Sequence, residues 1–277
     1  MNILEGFENK FLILDGGMGT MLQNSGLEPG ELPETYNITH PEVVEDIHRQ
    51  YILAGADIIS ANTFGANIFK YPLKKEGEQF TLSEVVKAAF ARARAAKEKT
   101  GAECRIALDL GPTGKLLAPL GTLDFEEAVK AFAETVRLGV ENGADLIIIE
   151  TMNDTLELKA AVLAAKENSN LPILASVVMD EQGKLMTGGD AGAVVALLEG
   201  LRVDALGINC GLGPDKLLPW AERLCALASI PVCVMPNAGL PKVREGRTVY
   251  DVTPEEFAGQ MKLIAQAGAR MAGGCCG

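Results

Sequence analysis

Long apolar runs and an apolar leader are both missing from this sequence. No segment approaches the roughly 18 consecutive apolar residues of a membrane-spanning helix. Residues 1–10 include two glutamates and contain no apolar core of the kind that directs secretion. We therefore expect no membrane segment and a cytoplasmic location.

Positive charge is also scarce. The chain has 25 Lys and Arg against 37 Asp and Glu, a formal net charge of −12, and no basic stripe. Because nucleic-acid binding depends on clustered cations that release counterions from phosphates, this balance disfavours a nucleic-acid partner. Aromatic residues make up only 5% of the chain, whereas hydrophobic residues make up 48%, so a sizeable core is available.

Cysteine is limited to six residues in a chain of 277. Without a secretion signal, six thiols are better interpreted as reduced side chains than as a disulfide framework. Their positions therefore matter more than their number.

Short β-branched or apolar runs recur along the chain, and each ends before a stretch with helical periodicity. The eight runs are 11–14, 57–61, 105–108, 146–149, 173–178, 205–208, 232–235 and 269–272. The helix-like stretches include 41–54, 83–99, 125–142, 155–167, 215–226 and 254–267, with Ser83, Asp124 and Thr253 as N-cap types. Glycine in the repeated turns at 54–57, 142–145 and 267–270 suits the end of a helix before the next strand.

Eight strands that alternate with helices predict an α/β fold, a (β/α)8 TIM-type barrel with parallel strands, ahead of an open doubly wound sheet. No linker-like stretch divides the sequence, so residues 1–277 are expected to form a single domain. Gly277 directly follows the eighth run, so the closing C-terminal helix of a barrel is absent from the sequence. We expect either that the sequence is an N-terminal module of a longer chain or that residues continue beyond 277.

Polar residues follow most of the predicted strands, at the carboxyl ends where barrel enzymes place their active sites. They are Asp15, Asn62, Thr63, Asp109, Glu150, Cys210, Asn237, Cys275 and Cys276. We expect these side chains to form a ring around one cavity.

Three of these residues are cysteines that follow predicted strands six and eight. With a strand spacing of about 4.8 Å, Cys210 can reach the same point as Cys275 and Cys276. The glycines at 273, 274 and 277 permit the distorted backbone that would aim adjacent cysteines together. Three sulfurs suit Zn²⁺, with a fourth position left for substrate.

Two alternatives compete with a metal site at these cysteines. The thiols could simply be buried or prone to oxidation, or Cys275 and Cys276 could form a strained vicinal disulfide. Cys104, Cys225 and Cys233 are assigned to the ordinary buried class, because they lie before a strand, on a helix and inside a strand.

Five motifs carry a resemblance to a known family: LDGGMGT at 14–20, NTFGAN at 62–67, GINCG at 207–211, PNAG at 236–239 and GGCCG at 273–277. In this order they resemble the homocysteine S-methyltransferase family over essentially the whole chain. The pairing of GINC with a distal GGCC is the most specific element. GPTG at 111–114 and the segment 33–59 resemble most the homocysteine-binding module of cobalamin-dependent methionine synthases, a branch of that family.

The resemblance implies a role for several residues of the ring. Cys210, Cys275 and Cys276 would be zinc ligands, with Asn237 either an oxygen ligand before substrate arrives or a structural turn residue. It also implies that Asp15 and Glu150 bind the substrate, since they can pair with an ammonium group. The backbone N–H groups of Gly16, Gly17 and Met18 can bind a carboxylate. A substrate role is implied more weakly for Asn62 and Thr63. Asp15 and Glu150 could instead cap helices or support the rim. Asp109 receives no role from the resemblance.

The resulting hypothesis is a zinc-dependent methyltransferase that binds homocysteine as a thiolate and methylates it to methionine. The resemblance favours methylcobalamin as donor, carried on another domain or subunit that docks over the mouth beside the loops 21–40 and 64–82. One alternative is a stand-alone enzyme that uses S-methylmethionine or betaine. Another is a non-catalytic barrel that binds zinc or thiols.

Overall fold

The structure is a computed structural model that describes residues 10–75, 77, 79–244 and 247–277. Its centre is an eight-stranded parallel sheet in the order β1-β10-β7-β6-β5-β4-β3-β2. The strands are β1 (Leu12–Ile13), β2 (Ile58–Ser60), β3 (Arg105–Leu110), β4 (Leu146–Met152), β5 (Ile173–Val177), β6 (Ala205–Asn209), β7 (Val232–Met235) and β10 (Met271–Ala272). A parallel bridge between Leu14 and Ile58 joins the two outer strands. The predicted (β/α)8 barrel is confirmed.

The helices are α1 (Met18–Asn24), α2 (Tyr36–Thr39), α3 (Pro41–Leu53), α4 (Leu82–Thr100), α5 (Phe125–Glu141), α6 (Thr155–Asn168), α7 (Ala191–Gly200), α8 (Pro214–Leu227) and α9 (Pro254–Gln266). The six predicted helices agree with α3, α4, α5, α6, α8 and α9 to within one residue at either end. Within the described residues, no helix is both long and apolar enough to cross a lipid bilayer.

Two features of the helices differ from expectation. The N-cap of α4 is Thr81 and not Ser83, because Thr81 and Glu84 form a reciprocal capping box and the helix begins at Leu82. Helix α7 was not predicted. It is capped by Asp190, but its sequence AGAVVALLEG has almost no polar face, so it lacks the periodicity that marks an amphipathic helix. Asp124 and Thr253 are confirmed as N-caps.

Two connections at the barrel mouth have structure of their own. Residues 21–40, predicted as a loop, contain the second half of α1, a 3₁₀ turn at Pro33–Thr35 and α2. The link between β7 and α9 contains an antiparallel hairpin of β8 (Lys242–Arg244) and β9 (Arg247–Val249), which was not predicted. Of residues 1–10, in which no leader was predicted, 1–9 lie outside the described ranges. The predicted loop 64–82 includes 76 and 78, which also lie outside these ranges.

Side chains inside the barrel form their own buried cluster. It contains Leu12, Leu14, Ile58, Ala107, Leu146, Ile148, Leu174, Ala205, Cys233, Met235 and Met271. Because strand residues alternate between two faces, the next inward positions toward the carboxyl ends are Asp109 on β3, Glu150 on β4 and Asn209 on β6. The apolar interior therefore ends in a polar layer that forms the floor of the mouth.

Candidate metal centre and substrate site

Three cysteine sulfurs converge at the barrel mouth. Cys210 directly follows β6, and Cys275 and Cys276 follow β10, with only β7 between these strands. Their Sγ atoms all lie within 4.8 Å of one another. In the described part of the chain, they are the one group of three or more His, Cys, Asp or Glu side chains close enough to share an ion.

The backbone around these cysteines is held in an unusual shape. Cys210 has a φ of +61°, in the left-handed region that few residues other than glycine adopt. Its N–H donates to the Met235 carbonyl at 3.0 Å, and the Cys275 N–H donates to the Pro236 carbonyl at 2.9 Å. On the other side, a Cβ at Gly17 would lie only 2.0 Å from the Cys275 carbonyl oxygen, so this close approach requires glycine.

The three thiols share hydrogen bonds that shift their acidity. The thiols of Cys275 and Cys276 donate to Cys210, which lowers the pKa of Cys210 to about 3. The same contacts raise the pKa of Cys275, and they raise the pKa of Cys276 to about 11. The cluster therefore stabilises negative charge on one sulfur. A set of three sulfurs fits a thiophilic divalent ion such as Zn²⁺, which is bound in proteins by thiolates in tetrahedral geometry.

Asn237 lies against this cluster and is nearly fully buried, at 4% exposure. Its Oδ1 accepts a hydrogen bond from the Cys276 N–H at 2.9 Å, and its amide donates to the sulfur of Cys210. These contacts link the two cysteine-bearing segments. The role of Asn237 as an oxygen ligand stays a prediction.

Three carboxylates lie in the polar layer beside the cysteines. Asp15 accepts hydrogen bonds from the Ser60 N–H at 2.7 Å and from its hydroxyl at 3.3 Å, and burial raises the pKa of Asp15 to about 7. Burial, Asp15 and Cys210 raise the pKa of Glu150. None of the ion pairs in the described ranges involves Asp15, Asp109 or Glu150. Such a group of buried acids is suited to a ligand that carries positive charge.

Asp109 is the most isolated of the three acids. Its side chain is 6% exposed, and its Oδ1 has no hydrogen-bond partner among the described residues. Its backbone is fixed by Thr63, whose Oγ1 accepts from the Asp109 N–H at 3.1 Å and donates to its carbonyl at 2.9 Å. Burial and the neighbouring Glu150 and Asp15 raise the pKa of Asp109 well above its usual range.

The remaining predicted site residues lie close to this region. Gly16, Gly17 and Met18 form the entry to α1, and no acceptor for their N–H groups occurs among the described hydrogen bonds. The Asn62 amide donates to the carbonyl of Pro33 at 2.9 Å and to Asn37 at 3.0 Å, which holds the segment before α2. These positions are compatible with the predicted substrate roles and do not test them.

Three residues near the site were missed by the sequence analysis. Asn209 contacts both Glu150 and Cys275. Tyr250, beyond the hairpin, hydrogen-bonds to Cys276, and Tyr51 on α3 packs over Gly16. Asn209 lies in the GINC motif and Tyr51 in the segment 33–59, so both could have been found there, whereas Tyr250 is part of no motif.

A cavity of about 1240 Å³ lies between α1 and α9 and reaches two of the three cysteines. Its wall includes Asp15, Gly17, Tyr250, Cys275 and Cys276. Cys210, Asp109 and Glu150 are not part of this wall. The other three cysteines, Cys104, Cys225 and Cys233, are free and lie outside the cluster, as predicted.

A parallel barrel with three thiols and three carboxylates at the carboxyl ends of its strands has the arrangement of an α/β barrel enzyme, whose active site lies at that end. The sequence model of the homocysteine S-methyltransferase family matches residues 12–277. The chain therefore belongs to the homocysteine S-methyltransferase family, which confirms the resemblance based on motifs.

Individual relatives agree with this assignment. The chain is 34% identical to methionine synthase from Mycobacterium leprae (strain TN) over 292 residues and 33% identical to methionine synthase from Mycobacterium tuberculosis (strain ATCC 25618 / H37Rv) over 290 residues. Both alignments cover 100% of this chain but 24% of the relative, so the chain spans about a quarter of the length of these relatives. The metallated form of the homocysteine methyltransferase MmuM from Escherichia coli superposes with a TM-score of 0.82 at 25% identity, covering 99% of this chain and 94% of that one.

Proposed function

We propose that residues 1–277 form a single homocysteine-binding domain that holds Zn²⁺ through Cys210, Cys275 and Cys276 and methylates homocysteine to methionine. The observation that carries this proposal is the convergence of three sulfurs within 4.8 Å beside a group of buried acids. Zinc held by three thiolates supplies a position at which a substrate thiol is deprotonated and available as a nucleophile. A cytoplasmic location, where thiols remain reduced, suits this chemistry.

The acids and the glycine turn provide complementary recognition of an amino acid. Asp15 and Glu150 pair with the substrate ammonium, whose positive charge offsets their mutual repulsion in the buried layer. The N–H groups of Gly16, Gly17 and Met18 bind the carboxylate. With both ends of the amino acid fixed, its short side chain extends toward the cysteines. The substrate sulfur then attacks the methyl group of the donor, forming the S–C bond as the bond from the methyl group to the donor breaks.

The mouth of the barrel favours a large methyl donor, and we propose methylcobalamin carried on another domain or subunit. Large apolar side chains are exposed in the connections that follow strands β2, β3, β5 and β7. They are Phe64, Leu116, Leu120, Met186, Leu240 and Val243, the last with 79% exposure. Apolar residues gathered on one rim are typical of a surface that receives a partner. A smaller donor, S-methylmethionine or betaine, would need no such rim, and methyl transfer measured with each donor separately distinguishes these cases.

The metal assignment can be tested directly by zinc content and X-ray absorption. Replacement of Cys210, Cys275 or Cys276 by Ala should remove tightly bound zinc, whereas Cys225→Ala, on α8, should retain it. In the unaltered protein, homocysteine should add one sulfur to the zinc shell. Full zinc occupancy in any of the three variants would refute the ligand set. Bound zinc with no spectral change on addition of homocysteine would instead favour the non-catalytic barrel.

A further inference from the structure

Asn209 uses every hydrogen-bonding position of its side chain and is fully buried, at 0% exposure. Its Oδ1 accepts from the Thr151 N–H at 2.9 Å and from the Ser176 hydroxyl at 2.7 Å. Its Nδ2 donates to Thr151 Oγ1 at 2.8 Å, and it lies 3.5 Å from Glu150 Oε2 and 3.8 Å from Cys275 Sγ. One amide therefore contacts the ends of two neighbouring strands and the segment that follows β10.

The residues next to these contacts have backbone conformations that need support. Thr151 and Cys210 both have φ values of +61°. A left-handed conformation at a residue other than glycine costs on the order of 1–3 kcal/mol and persists only where surrounding contacts enforce it. Asn209 binds Thr151 through both its backbone N–H and its hydroxyl, and it directly precedes Cys210. In β4, the register shifts between Ile149 and Met152, so the strand is already irregular where Asn209 holds it.

The donor half of the amide has an electrostatic consequence. Glu150 and Cys275 both become negative when they bind their proposed partners, and they face the same N–H₂ group. A neutral donor placed between two anionic groups stabilises both without adding charge. Since the amide is fixed at its oxygen end, its nitrogen cannot move toward one group alone.

We propose that Asn209 is a positioning residue that couples amino-acid binding to metal binding: its amide N–H₂ holds the Glu150 carboxylate and the Cys275 sulfur in register. This inference rests on the proposed function. It predicts that one substitution at Asn209 weakens the retention of zinc and the binding of the amino acid together, whereas loss of Glu150 affects mainly the amino acid.

Asn209→Asp separates this role from simple packing. The new side chain has the same shape and keeps an oxygen for the Thr151 N–H and the Ser176 hydroxyl, but its ionised form cannot donate to Glu150 or Cys275. Ser176→Ala is the matched comparison, because it removes one bond from the oxygen half and leaves the nitrogen half intact.

Two probes measure the two halves of the site. Zinc affinity is measured by competition with a chromophoric chelator, and amino-acid affinity by calorimetry with L-norvaline, which replaces the homocysteine thiol by a methyl group. Relative to wild type at pH 8, Asn209→Asp should weaken both by at least about tenfold, while Ser176→Ala should change each by roughly twofold or less. Circular dichroism establishes that each variant is folded, and a misfolded Asn209→Asp protein is replaced by Asn209→Ser.

The possible outcomes separate the two proposals. A wild-type protein that binds both probes, with an Asn209→Asp variant that binds them equally well at pH 8, overturns the coupling role alone. The same conclusion follows if Ser176→Ala loses as much as Asn209→Asp, since the oxygen half would then account for the effect. A wild-type protein that binds neither probe refutes the proposed function and this inference with it.

Discussion

Gly17 offers a sharp test of how tightly the turn after β1 encloses the cysteine cluster. In Gly17→Ala, the new Cβ would lie 2.0 Å from the Cys275 carbonyl oxygen and 2.9 Å from Thr20 Oγ1. Carbon atoms at this position essentially never approach closer than 3.0 Å, so the backbone at Cys275 or at residue 17 must retreat by about 1 Å. The Thr20 hydroxyl can rotate away. The Cys275 carbonyl cannot, because it shares a peptide group with the Cys276 N–H, which is bound to Asn237 Oδ1.

The size of this displacement determines the expected effect. Metal–ligand distances in proteins tolerate deviations of only about 0.2 Å, so a shift of about 1 Å at Cys275 should misplace its sulfur. We expect zinc affinity to fall roughly 10–100-fold, the range seen when groups that support a ligand are lost. Chelator competition measures this fall, and circular dichroism establishes that the barrel is intact.

Gly19→Ala is the matched control for this prediction. Gly19 lies in α1, two residues after the N-cap Gly17, and a Cβ there would have nothing within 4 Å. Because alanine stabilises a helix by about 0.5–1 kcal/mol relative to glycine, this variant should keep its zinc and be at least as stable as wild type. If Gly17→Ala binds zinc as tightly as Gly19→Ala, the proposed enclosure of Cys275 is wrong.

Three further predictions follow from buried titratable groups. His48 is fully buried on α3, and its ring nitrogens have no hydrogen-bond partner among the described residues. Burial lowers its pKa from 6.5 to about 4. As pH falls, the histidine is therefore protonated in the unfolded chain before it is protonated in the folded one. Urea titrations from pH 6.5 to pH 4 should show that the free energy of unfolding falls by roughly 3 kcal/mol, a decrease that His48→Leu avoids. The raised pKa of Asp109 has the opposite effect on the pH dependence of stability: its contribution falls as pH rises above 3.8. Asp109→Asn should therefore flatten this decline when thermal unfolding is measured across pH. Because the pKa of Asp15 is about 7, calorimetric L-norvaline affinity should rise from pH 6 to pH 8, and a similar rise in Asp15→Asn would contradict its ammonium role.

The barrel could be predicted from the sequence because its strands are buried on both faces. Such strands are near-continuous apolar runs, as in LIII at 146–149, and each was found within a residue or two of its start. Six helices were found because each contains polar and charged residues among the apolar ones. Helix α7 was missed for the same physical reason, since a helix that is apolar all round has no helical periodicity to detect.

Close approaches between distant segments were beyond the reach of the sequence. The glycines at 17 and 207 are visible in their motifs, but the distant backbone segment that each one contacts is not. A Cβ at Gly207 would lie 2.1 Å from the Cys233 carbonyl oxygen, just as a Cβ at Gly17 would clash with the Cys275 carbonyl oxygen. Tyr250 reaches Cys276 from a connection whose hairpin was not predicted. These contacts depend on how the barrel closes, which no local pattern encodes.

The GINC motif explains why the position of Cys210 could be predicted and its geometry could not. Successive side chains on a strand point to opposite faces, so an inward Asn209 at the end of β6 would direct the next side chain outward. The left-handed conformation of Cys210 ends the strand and lets its thiol join Cys275 and Cys276 at the mouth. Only a few per cent of residues other than glycine adopt this conformation, so a sequence gives little reason to expect it at a cysteine. The same conformation at Thr151, after the inward Glu150, lies inside β4 just before its last residue, Met152, where Asn209 binds the strand.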